Sequence, residues 1–561
     1  MNLLILLSAS TVLLLSVLVF PLLDNQWFLK WKWFSSSSVV ADFVVTNGFI
    51  FTSDPSLPFA DSMAVRDGRV LRVGKFSSLQ NLCRDETEVM NLDGKVVVPG
   101  FIDSHVHLLF GGLQMAQVEL HGLNSKDEFI RKVKDAVNDK KHGSWILGGG
   151  WNNDIWGGDL PMASWIDDIT PNNPVWLSRM DGHMGLANSL SMKMAGITND
   201  TQDPPGGTIM RTIDGEATGL LIDSAMELIR PSIPNASVDE RREALLQASN
   251  LALQRGVTTV VDFGRYLPGS SVETPWEDLS DVYLWANSMG KMRIRDLIRK
   301  TGRVISQWIY LGGVKAFADG SLGSNSALMY EPYIDEPNNY GLQVTDPETL
   351  FNLSMAADYA GLQIAVHAIG DRANDLILDM YESVISANAM RERRHRIEHA
   401  QHLALGTPER FGKLGVIASV QPEHLLYDAN SAIKKLGADR AHKESYLFHS
   451  LLASSRQLAL GSDWPVVNIN PLGGIKTAMK RIPPGWDHAW IPSERITLGA
   501  ALEGFTISAA RACFLDEYLG SLSPGKLADF VILSTDSWDD FVAEGSASVE
   551  ATYVGGIRAY P

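Results

Sequence analysis

Apolar and polar residues follow two different patterns after residue 40. From Ala41 to about residue 97, apolar runs alternate with turns, and ADFVVTNGFIFT, SMAVRDGRVLRVG and EVMNLDGKVVV each contain an Asn-Gly or Asp-Gly step typical of a hairpin. The same pattern returns near residue 520, in KLADFVILSTD and VEATYVGGIRAYP. Neither end has enough strands for a stable sheet, so we predict one small β-sandwich formed by residues 41–97 and 520–561. Two unrelated β extensions are the alternative.

Residues 98–519 alternate short apolar runs with helical stretches such as Asp375 to Ala387 and Lys443 to Leu452, as in a parallel sheet with crossover helices. The predicted strands after VVVPGFIDSHVHL are GVTTVVDFG, GGVKAFADGSLG, LQIAVHAIG, HRIEHAQHL, GVIASVQPEH and LALGSDWP. An eight-stranded barrel needs one more strand, for which Lys291 to Ile294 is a poor candidate. Residues of about 114–230, with many Trp, Gly and Pro, are predicted as an inserted lid over the barrel mouth.

The N-terminal segment has a different character. Leu3 to Leu23 is an almost unbroken apolar run, long enough to cross a bilayer. No Lys or Arg precedes it and no small-residue cleavage pattern follows it, so we predict a retained anchor rather than a removed signal peptide. Lys30 and Lys32, interleaved with tryptophans, are typical of a cytoplasmic membrane interface. We therefore predict that residues 1–40 anchor the protein in a membrane, with its main body in the cytosol. The expected membrane is that of the endoplasmic reticulum or the perinuclear region.

Composition excludes several classes of protein. With 561 residues, 45% hydrophobic and 20% charged, the chain can form a large globular core, and disorder is not expected. The formal net charge of −17 argues against nucleic acid as a partner. Cys83 and Cys513 are too few and too far apart in sequence to indicate a disulfide framework.

Candidate metal ligands lie at the ends of the predicted strands. His105 and His107 are two residues apart on an extended segment, so their imidazoles lie on one side and can face one ion. A single histidine at a strand end is more often a packed core residue, but several at successive ends of a barrel predict a metal site. Imidazole and carboxylate ligands favour one or two divalent ions, with Zn²⁺ preferred. The ligands predicted in this way are His105, His107, His367, His399 and Asp463, and Lys315 lies on a further strand of the same set.

Six ordered motifs carry a family resemblance: PGFIDSHVHL, KAFADGSLGSNSA, VHAIGD, RIEHAQ, GSDWPV and GSLSPGKLADFVIL. In this order they resemble the metal-dependent amidohydrolase superfamily, in its amidohydrolase type 3 (YtcJ-like) branch. The resemblance covers nearly everything after residue 41 and implies an α/β fold, a TIM-like (β/α)8 metallohydrolase barrel. The chain departs from the family near Met292 to Ile294, where family members have a fuller strand.

Lys315 is unusual among the candidate ligands. An ammonium on a buried strand beside divalent cations would be repelled and desolvated, so it should not persist there as a cation. Reaction of its neutral amine with CO₂ would give a carbamate, whose two oxygens can bridge two ions. Resemblance to superfamily members with a lysine on this strand implies that modification. The alternative is an ion pair between Lys315 and Asp319 or Asp103.

Other residues have predicted roles in the reaction. Asp463 is the predicted catalytic residue, which orients a metal-activated hydroxide, takes its proton and passes it to the leaving nitrogen. His183 and Trp151 are predicted to bind substrate, although a structural role fits each of them as well. Glu398 is predicted to face away from the ions and to support their ligands by hydrogen bonding. His424 is left out of the predicted ligand set.

The predicted function is metal-dependent hydrolysis of a non-peptide carbon-nitrogen bond, in an amide or N-substituted formamide-like group of a small molecule. The alternative is a membrane-tethered signalling or scaffold protein that keeps the fold and has little turnover. Strand-end polar residues favour catalysis, because a scaffold has no physical need for them. The expected partners are the substrate and the membrane, without nucleic acid, and a homodimer is left open.

Overall fold

The computed structural model describes residues 39–561 except residues 139, 266–273, 293, 299–302, 456 and 544–546. The predicted anchor, Leu3 to Leu23, lies outside the described residues. Within the described part of the chain, no helix is both long enough and apolar enough to cross a membrane. No helix in this part of the chain supports the predicted location at an endoplasmic reticulum or perinuclear membrane, and that prediction is withdrawn.

The central part of the chain forms a closed barrel of parallel strands. In chain order the barrel strands are Phe101–Val106, Val257–Asp262, Arg295–Ile298, Ile309–Leu311 with Gly313–Phe317, Gln363–Ala368, Arg396–His399, Ile417–Val420 and Ala459–Leu460. Neighbouring strands pair in parallel, and a parallel bridge between Val106 and Trp464 joins the last strand to the first. Strands such as Val257–Asp262 are buried along their whole length, as expected where both faces of a parallel sheet are covered.

The third barrel strand follows directly after the poor candidate Lys291 to Ile294. It spans Arg295–Ile298 and pairs with the second and fourth strands. The charged residue Arg295 interrupts the hydrophobic pattern of this strand. Arg295 can nevertheless be buried, because its guanidinium forms an ion pair with the buried carboxylate of Asp529, near the C-terminal end of the chain. The buried Arg295 therefore has a partner 234 positions away, which local sequence patterns do not show.

The two ends of the described chain form two sheets, and the first of them combines strands from both ends. The first has the strand order Ile557–Tyr560, Val549–Val554, Phe530–Leu533, Val96–Pro99, Phe49–Phe51 and Phe59–Ala60. The second has the order Arg69–Gly74, Ser62–Arg66, Phe43–Thr46 and Glu88–Asn91. Antiparallel pairing of Val96–Pro99 with Phe530–Leu533 joins the early and late segments. The apolar core here includes Met63, Phe530 and Tyr553, and the last two rings stack with centroids 4.4 Å apart.

A separate six-stranded sheet is inserted between the first two barrel strands. Its strand order is Gly207–Arg211, Ala217–Asp223, Met184–Ala187, Val175–Arg179, Ile146–Trp151 and Val118–Glu119. This sheet has its own apolar core, which includes Phe129, Ile166 and Leu177. We call it the lid sheet, because residues at and after the end of Val175–Arg179 line the cavity at the barrel mouth.

Helices cover the barrel and connect its strands. The longer ones are Leu108–Gln114, Lys126–Asn138, Val238–Gln254, Pro347–Tyr359, Asp371–Ala387, Thr407–Leu414, His424–Leu436, Ala438–Glu444, Phe448–Ser455, Pro471–Lys480 and Leu498–Gly504. Shorter α-helices are Phe76–Leu79, Ser189–Met194, Thr274–Asp278, Leu284–Ser288, Ile507–Ala512 and Trp538–Val542. The helix predicted over Lys443 to Leu452 is in fact two helices. It is interrupted because Ser445 is extended and pairs with His402, and Tyr446 has a φ of 54°.

Candidate metal centre

The carboxyl ends of the barrel strands bring the predicted ligands to one cavity. His105 and His107 lie at the end of the first strand, and His399 ends the sixth. Asp463 follows the short last strand, and all four side chains are buried. His399 and Asp463 have φ angles of 78° and 59°, a left-handed conformation that is strained for residues with a Cβ. Such strain is concentrated at functional sites in proteins.

Three histidines of this cluster are held in the same tautomer by oxygen acceptors. The Nδ1 atom of His105 lies 2.8 Å from Oε2 of Glu398, and Nδ1 of His107 lies 2.9 Å from the carbonyl oxygen of Gly264. The Nδ1 atom of His399 lies 2.8 Å from Oε1 of Gln421. Because these oxygens accept, each Nδ1 carries the proton, and each Nε2 presents the lone pair that binds a metal.

The Asp463 carboxylate lies between these Nε2 atoms. Its Oδ1 is 3.3 Å from Nε2 of His105 and 3.6 Å from Nε2 of His107. Two groups of side chains have donor atoms close enough to hold a metal ion, namely His105, His107 and Asp463, and His399, His424 and Asp463. Asp463 belongs to both groups, so its two oxygens can serve two neighbouring ions. Burial raises the pKa of Asp463 to about 8, although Lys315 and His183 oppose the increase.

His424 was left out of the predicted ligand set, yet the structure brings it to the cluster. Its Nε2 atom lies 3.9 Å from Oδ2 of Asp463, and its ring stacks on His399 with centroids 6.0 Å apart. His424 is the first residue of the helix that follows the seventh strand, rather than a strand residue. The sequence signal was its place four residues after the strand Ile417–Val420, because a barrel directs that loop to the same mouth.

His367 and Lys315 line the same cavity but lie outside both three-residue groups. The Nε2 atom of His367 donates to the carbonyl oxygen of Gly320 at 3.0 Å, so the lone pair is on Nδ1, the opposite nitrogen from that in His399. The Lys315 Nζ lies 4.5 Å from the ring centre of Phe263. The sequence left open an ion pair of Lys315 with Asp319 or Asp103. Asp319 accepts hydrogen bonds from the backbone nitrogens of Leu328, Ile369 and Gly370. Asp103 accepts hydrogen bonds from Ser462 and from the backbone of His105.

Burial keeps the imidazoles in the neutral form that binds metal. Burial and neighbouring positive charge lower the pKa of His399 and of His367 well below the usual range. Burial also lowers the pKa of His424 to about 4. Neutral imidazoles and a carboxylate are the donor set that Zn²⁺ and similar divalent ions accept, so the side chains present fit a metal centre.

The lid sheet brings His183 to the cavity but not Trp151. The Nδ1 atom of His183 lies 2.5 Å from Oδ1 of Asp223, and its ring is 4.9 Å from that of His367. Burial opposes protonation of His183, but Asp223 and Asp181 outweigh it and raise the imidazole pKa. Trp151 is fully buried in the lid core and donates to the carbonyl of Leu177 at 2.8 Å. It does not line the cavity, because its strand directs it into the core of the lid sheet.

The predicted support for the ligands by Glu398 has a specific geometry. Glu398 is fully buried and contacts His105 directly, while its oxygens accept from Arg396 at 2.7 and 3.0 Å. Arg396 also donates to the carbonyl oxygen of Ser104 and to the hydroxyl of Ser419. The carboxylate thus links a buried cation on its own strand to a histidine on the first strand.

Comparison with known proteins gives relatives that match almost the whole chain. LONG AFTER FAR-RED 3 of Arabidopsis thaliana is 64% identical over 569 residues, covering 99% of this chain and 98% of that protein. YtcJ of Bacillus subtilis is 32% identical and covers 87% of this chain and 93% of its own. N-substituted formamide deformylase of Arthrobacter pascens is 27% identical and covers 92% of this chain and 98% of its own.

A solved structure and a family model agree with these relatives. A metal-dependent hydrolase from Pyrococcus horikoshii has a TM-score of 0.69 and 26% identity, covering 88% of this chain and 97% of that one. It confirms the predicted α/β metallohydrolase fold. The resemblance to the YtcJ-like branch is confirmed, and the resemblance to the plant long-after-far-red protein extends over 99% of this chain. The amidohydrolase family model matches residues 88–560, and the chain belongs to the amidohydrolase family.

Proposed function

We propose that this protein hydrolyses a carbon-nitrogen bond other than a peptide bond, in an amide or N-substituted formamide-like small molecule. The observation that carries the proposal is the fixed tautomer of His105, His107 and His399, whose Nε2 lone pairs are directed into one cavity beside Asp463. Buried imidazoles held in this way are suited to metal binding. The similarity to N-substituted formamide deformylase supports the choice of bond, because that relative aligns over 92% of this chain.

The side chains that would hold one or two ions are His105, His107, His399, His424 and Asp463, with His367 and Lys315 as further candidates on the same cavity. A bound divalent ion, with Zn²⁺ preferred, supplies Lewis acidity toward a carbonyl oxygen and lowers the pKa of a water molecule. For Lys315, we propose that the neutral amine adds to CO₂ and loses a proton to form a carbamate. A carbamate would replace a cation next to the metal ligands by an anion with two oxygen donors.

Asp463 is the proposed proton carrier. Its carboxylate lies within 3.6 Å of the Nε2 atoms of His105 and His107, and it lines the cavity where substrate would bind. One carboxylate oxygen would take the proton from the attacking water and pass it to the leaving nitrogen.

His183 is the proposed group that orients the substrate carbonyl. Asp223 accepts the hydrogen bond from its Nδ1, so Nε2 is the nitrogen directed toward substrate. The raised pKa of His183 favours the protonated ring, which can donate from Nε2 to a carbonyl oxygen. The lid sheet would thus supply a hydrogen-bond donor opposite the barrel ligands.

The experiment is metal analysis of the purified protein together with a hydrolysis screen of N-substituted formamides and simple amides. We expect metal in the parent protein, and formate or amine release that stops after chelation. His105→Ala should lose both properties, whereas Asp439→Asn, on an exposed helix surface, should keep them. A well-folded parent protein without metal or turnover would contradict the proposal.

The second candidate function is signalling, which the 64% identity to a protein named LONG AFTER FAR-RED 3 favours. In this case the amidohydrolase fold would serve as a scaffold, for example in phytochrome A far-red light signalling. Complementation of a plant lacking the relative distinguishes the candidates. Rescue by Asp463→Asn at the level of the parent protein would favour the scaffold, and failure of a stably accumulated variant would favour catalysis.

A further inference from the structure

One part of the candidate active-site cavity has no role in the proposed reaction. It is lined by side chains from the lid sheet and from the helix His424–Leu436, including Arg179, Asp181 and Asp428. Arg179 is buried, and its guanidinium donates to Asp181 and to Asp154 at 2.7 Å each. It also donates to the side-chain oxygens of Asn152 and Asn153. Arg179 is therefore occupied within the protein and is not available as an anion-binding group.

Among the described residues, Asp428, unlike Arg179, has hydrogen-bond partners on only one side of its charged group. Its Oδ2 accepts hydrogen bonds from Nε2 of Gln401 at 2.8 Å and from the hydroxyl of Tyr446 at 2.5 Å. Both donors are neutral. In the described part of the chain, Oδ1 accepts no hydrogen bond and no cation forms an ion pair with Asp428. The half-buried carboxylate thus faces the cavity with one oxygen available and its charge without a direct counterion.

The surroundings of Asp428 have an excess of negative charge. Asp154, Asp181 and Asp428 lie around the single guanidinium of Arg179, which is already paired with the first two. Burial raises the pKa of Asp428 to about 6, and the neighbouring carboxylates add to this effect against Tyr446 and Arg179. A cation beside Oδ1 would relieve this unfavourable burial of charge.

We propose that Asp428 is a specificity-determining residue that selects substrates carrying a basic nitrogen, an ammonium or amidinium, at the end away from the scissile bond. The inference rests on the proposed hydrolysis at the metal centre. Gln401, two residues after His399, donates to Asp428 and places the carboxylate on the same cavity as the metal ligands. A substrate held at Asp428 by its cationic end can therefore extend toward the centre.

The competing explanation is that Asp428 only anchors Tyr446 and Gln401. Two substitutions separate the explanations. Asp428→Asn keeps an oxygen that can accept from these donors but removes the charge, whereas Asp428→Ala removes both. If the role of Asp428 is purely structural, the protein would tolerate Asp428→Asn but not Asp428→Ala, and loss of activity would be equal for neutral and basic substrates. If Asp428 determines selectivity, both variants would lose the preference of the parent protein for basic substrates.

The kinetic test uses two formamides of equal length, N-(4-aminobutyl)formamide and N-pentylformamide, with shorter and longer homologues of each. We expect the parent protein to prefer the basic member by about tenfold or more in kcat/KM, the effect of one charge-assisted hydrogen bond. In Asp428→Asn this ratio should fall to about one, with turnover of the neutral member preserved. Asp439→Asn is the control, because Asp439 is exposed and paired with Lys443. An unchanged ratio in Asp428→Asn would overturn the proposal.

A binding test does not depend on turnover. Calorimetric titration of the metal-loaded protein uses N-(4-aminobutyl)methanesulfonamide and N-pentylmethanesulfonamide, a basic and a neutral sulfonic amide of equal length that resist hydrolysis and carry the variable end on nitrogen, as the formamides do. The parent protein should bind the basic amide more tightly by about tenfold, and Asp428→Asn should bind both alike. Preference in binding without hydrolysis of any formamide would retain the role of Asp428 while refuting the proposed reaction. Equal binding of both amides by the parent protein would refute the role of Asp428.

Discussion

Replacement of Glu398 by Gln tests how the metal centre is organised. Glu398 accepts from Nδ1 of His105 at 2.8 Å and from two nitrogens of Arg396, all in a fully buried environment. Glutamine has the same size but only one acceptor oxygen and no charge. If the glutamine oxygen accepts from Nδ1 of His105, the tautomer is kept but Arg396 loses its anionic partner. If the glutamine amide nitrogen faces His105 instead, Nδ1 has no acceptor for its proton.

The contacts of Glu398 determine how much metal affinity and how much stability the substitution should cost. Loss of the partner of a metal-binding histidine typically costs about 10- to 100-fold in metal affinity. Removing one member of a buried ion pair costs about 3–5 kcal/mol of unfolding free energy. The loss here should lie at the lower end, because Ser104 and Ser419 also accept hydrogen bonds from Arg396. We therefore expect weaker zinc binding by about 10- to 100-fold and a lower melting temperature in Glu398→Gln.

Competition with a chromophoric zinc chelator measures the affinity, and thermal unfolding in the presence of chelator measures the stability of the protein alone. Glu494→Gln is the matched control. Glu494 is also buried, but it accepts from the backbone and hydroxyl of Ser450 rather than from a candidate ligand. It should lose stability and retain the zinc affinity of the parent protein. Parental zinc affinity in Glu398→Gln would refute the role of Glu398 in orienting His105.

Three further predictions concern the ligands themselves. His107→Ala should lose metal and activity yet keep its far-ultraviolet circular dichroism spectrum, because His107 lies at a strand end; parental metal content would exclude it as a ligand. Asp463→Asn should keep part of its metal while turnover falls by roughly 10²- to 10⁴-fold, and activity within a few-fold of the parent would assign the proton to another residue. Native mass spectrometry of metal-loaded protein should show one added CO₂ that is absent in Lys315→Ala, and a bare amine in a metal-loaded crystal would contradict this.

Much of the site was predictable because barrel strands carry their chemistry at one end. The spacing of His105 and His107 predicts a metal site, because residues two apart on an extended segment point to the same side. His424 gave a weaker signal, because it lies on a loop and helix start rather than on a strand. Trp151 was predicted to bind substrate, although tryptophans in a large lid are more often packing residues. The packing of the lid sheet places it in the core.

By itself the sequence determined the type and order of most barrel strands, because apolar periodicity and turn residues act over a few neighbouring positions. It also determined that polar ligands follow buried strands. Only the tertiary structure decided which nitrogen of His105 faces the cavity, since its partner Glu398 is 293 residues away. The same holds for the third barrel strand, where Arg295 is accommodated by Asp529 from the far end of the chain. Tautomers and buried charges depend on contacts between distant segments, and local patterns contain no record of those contacts.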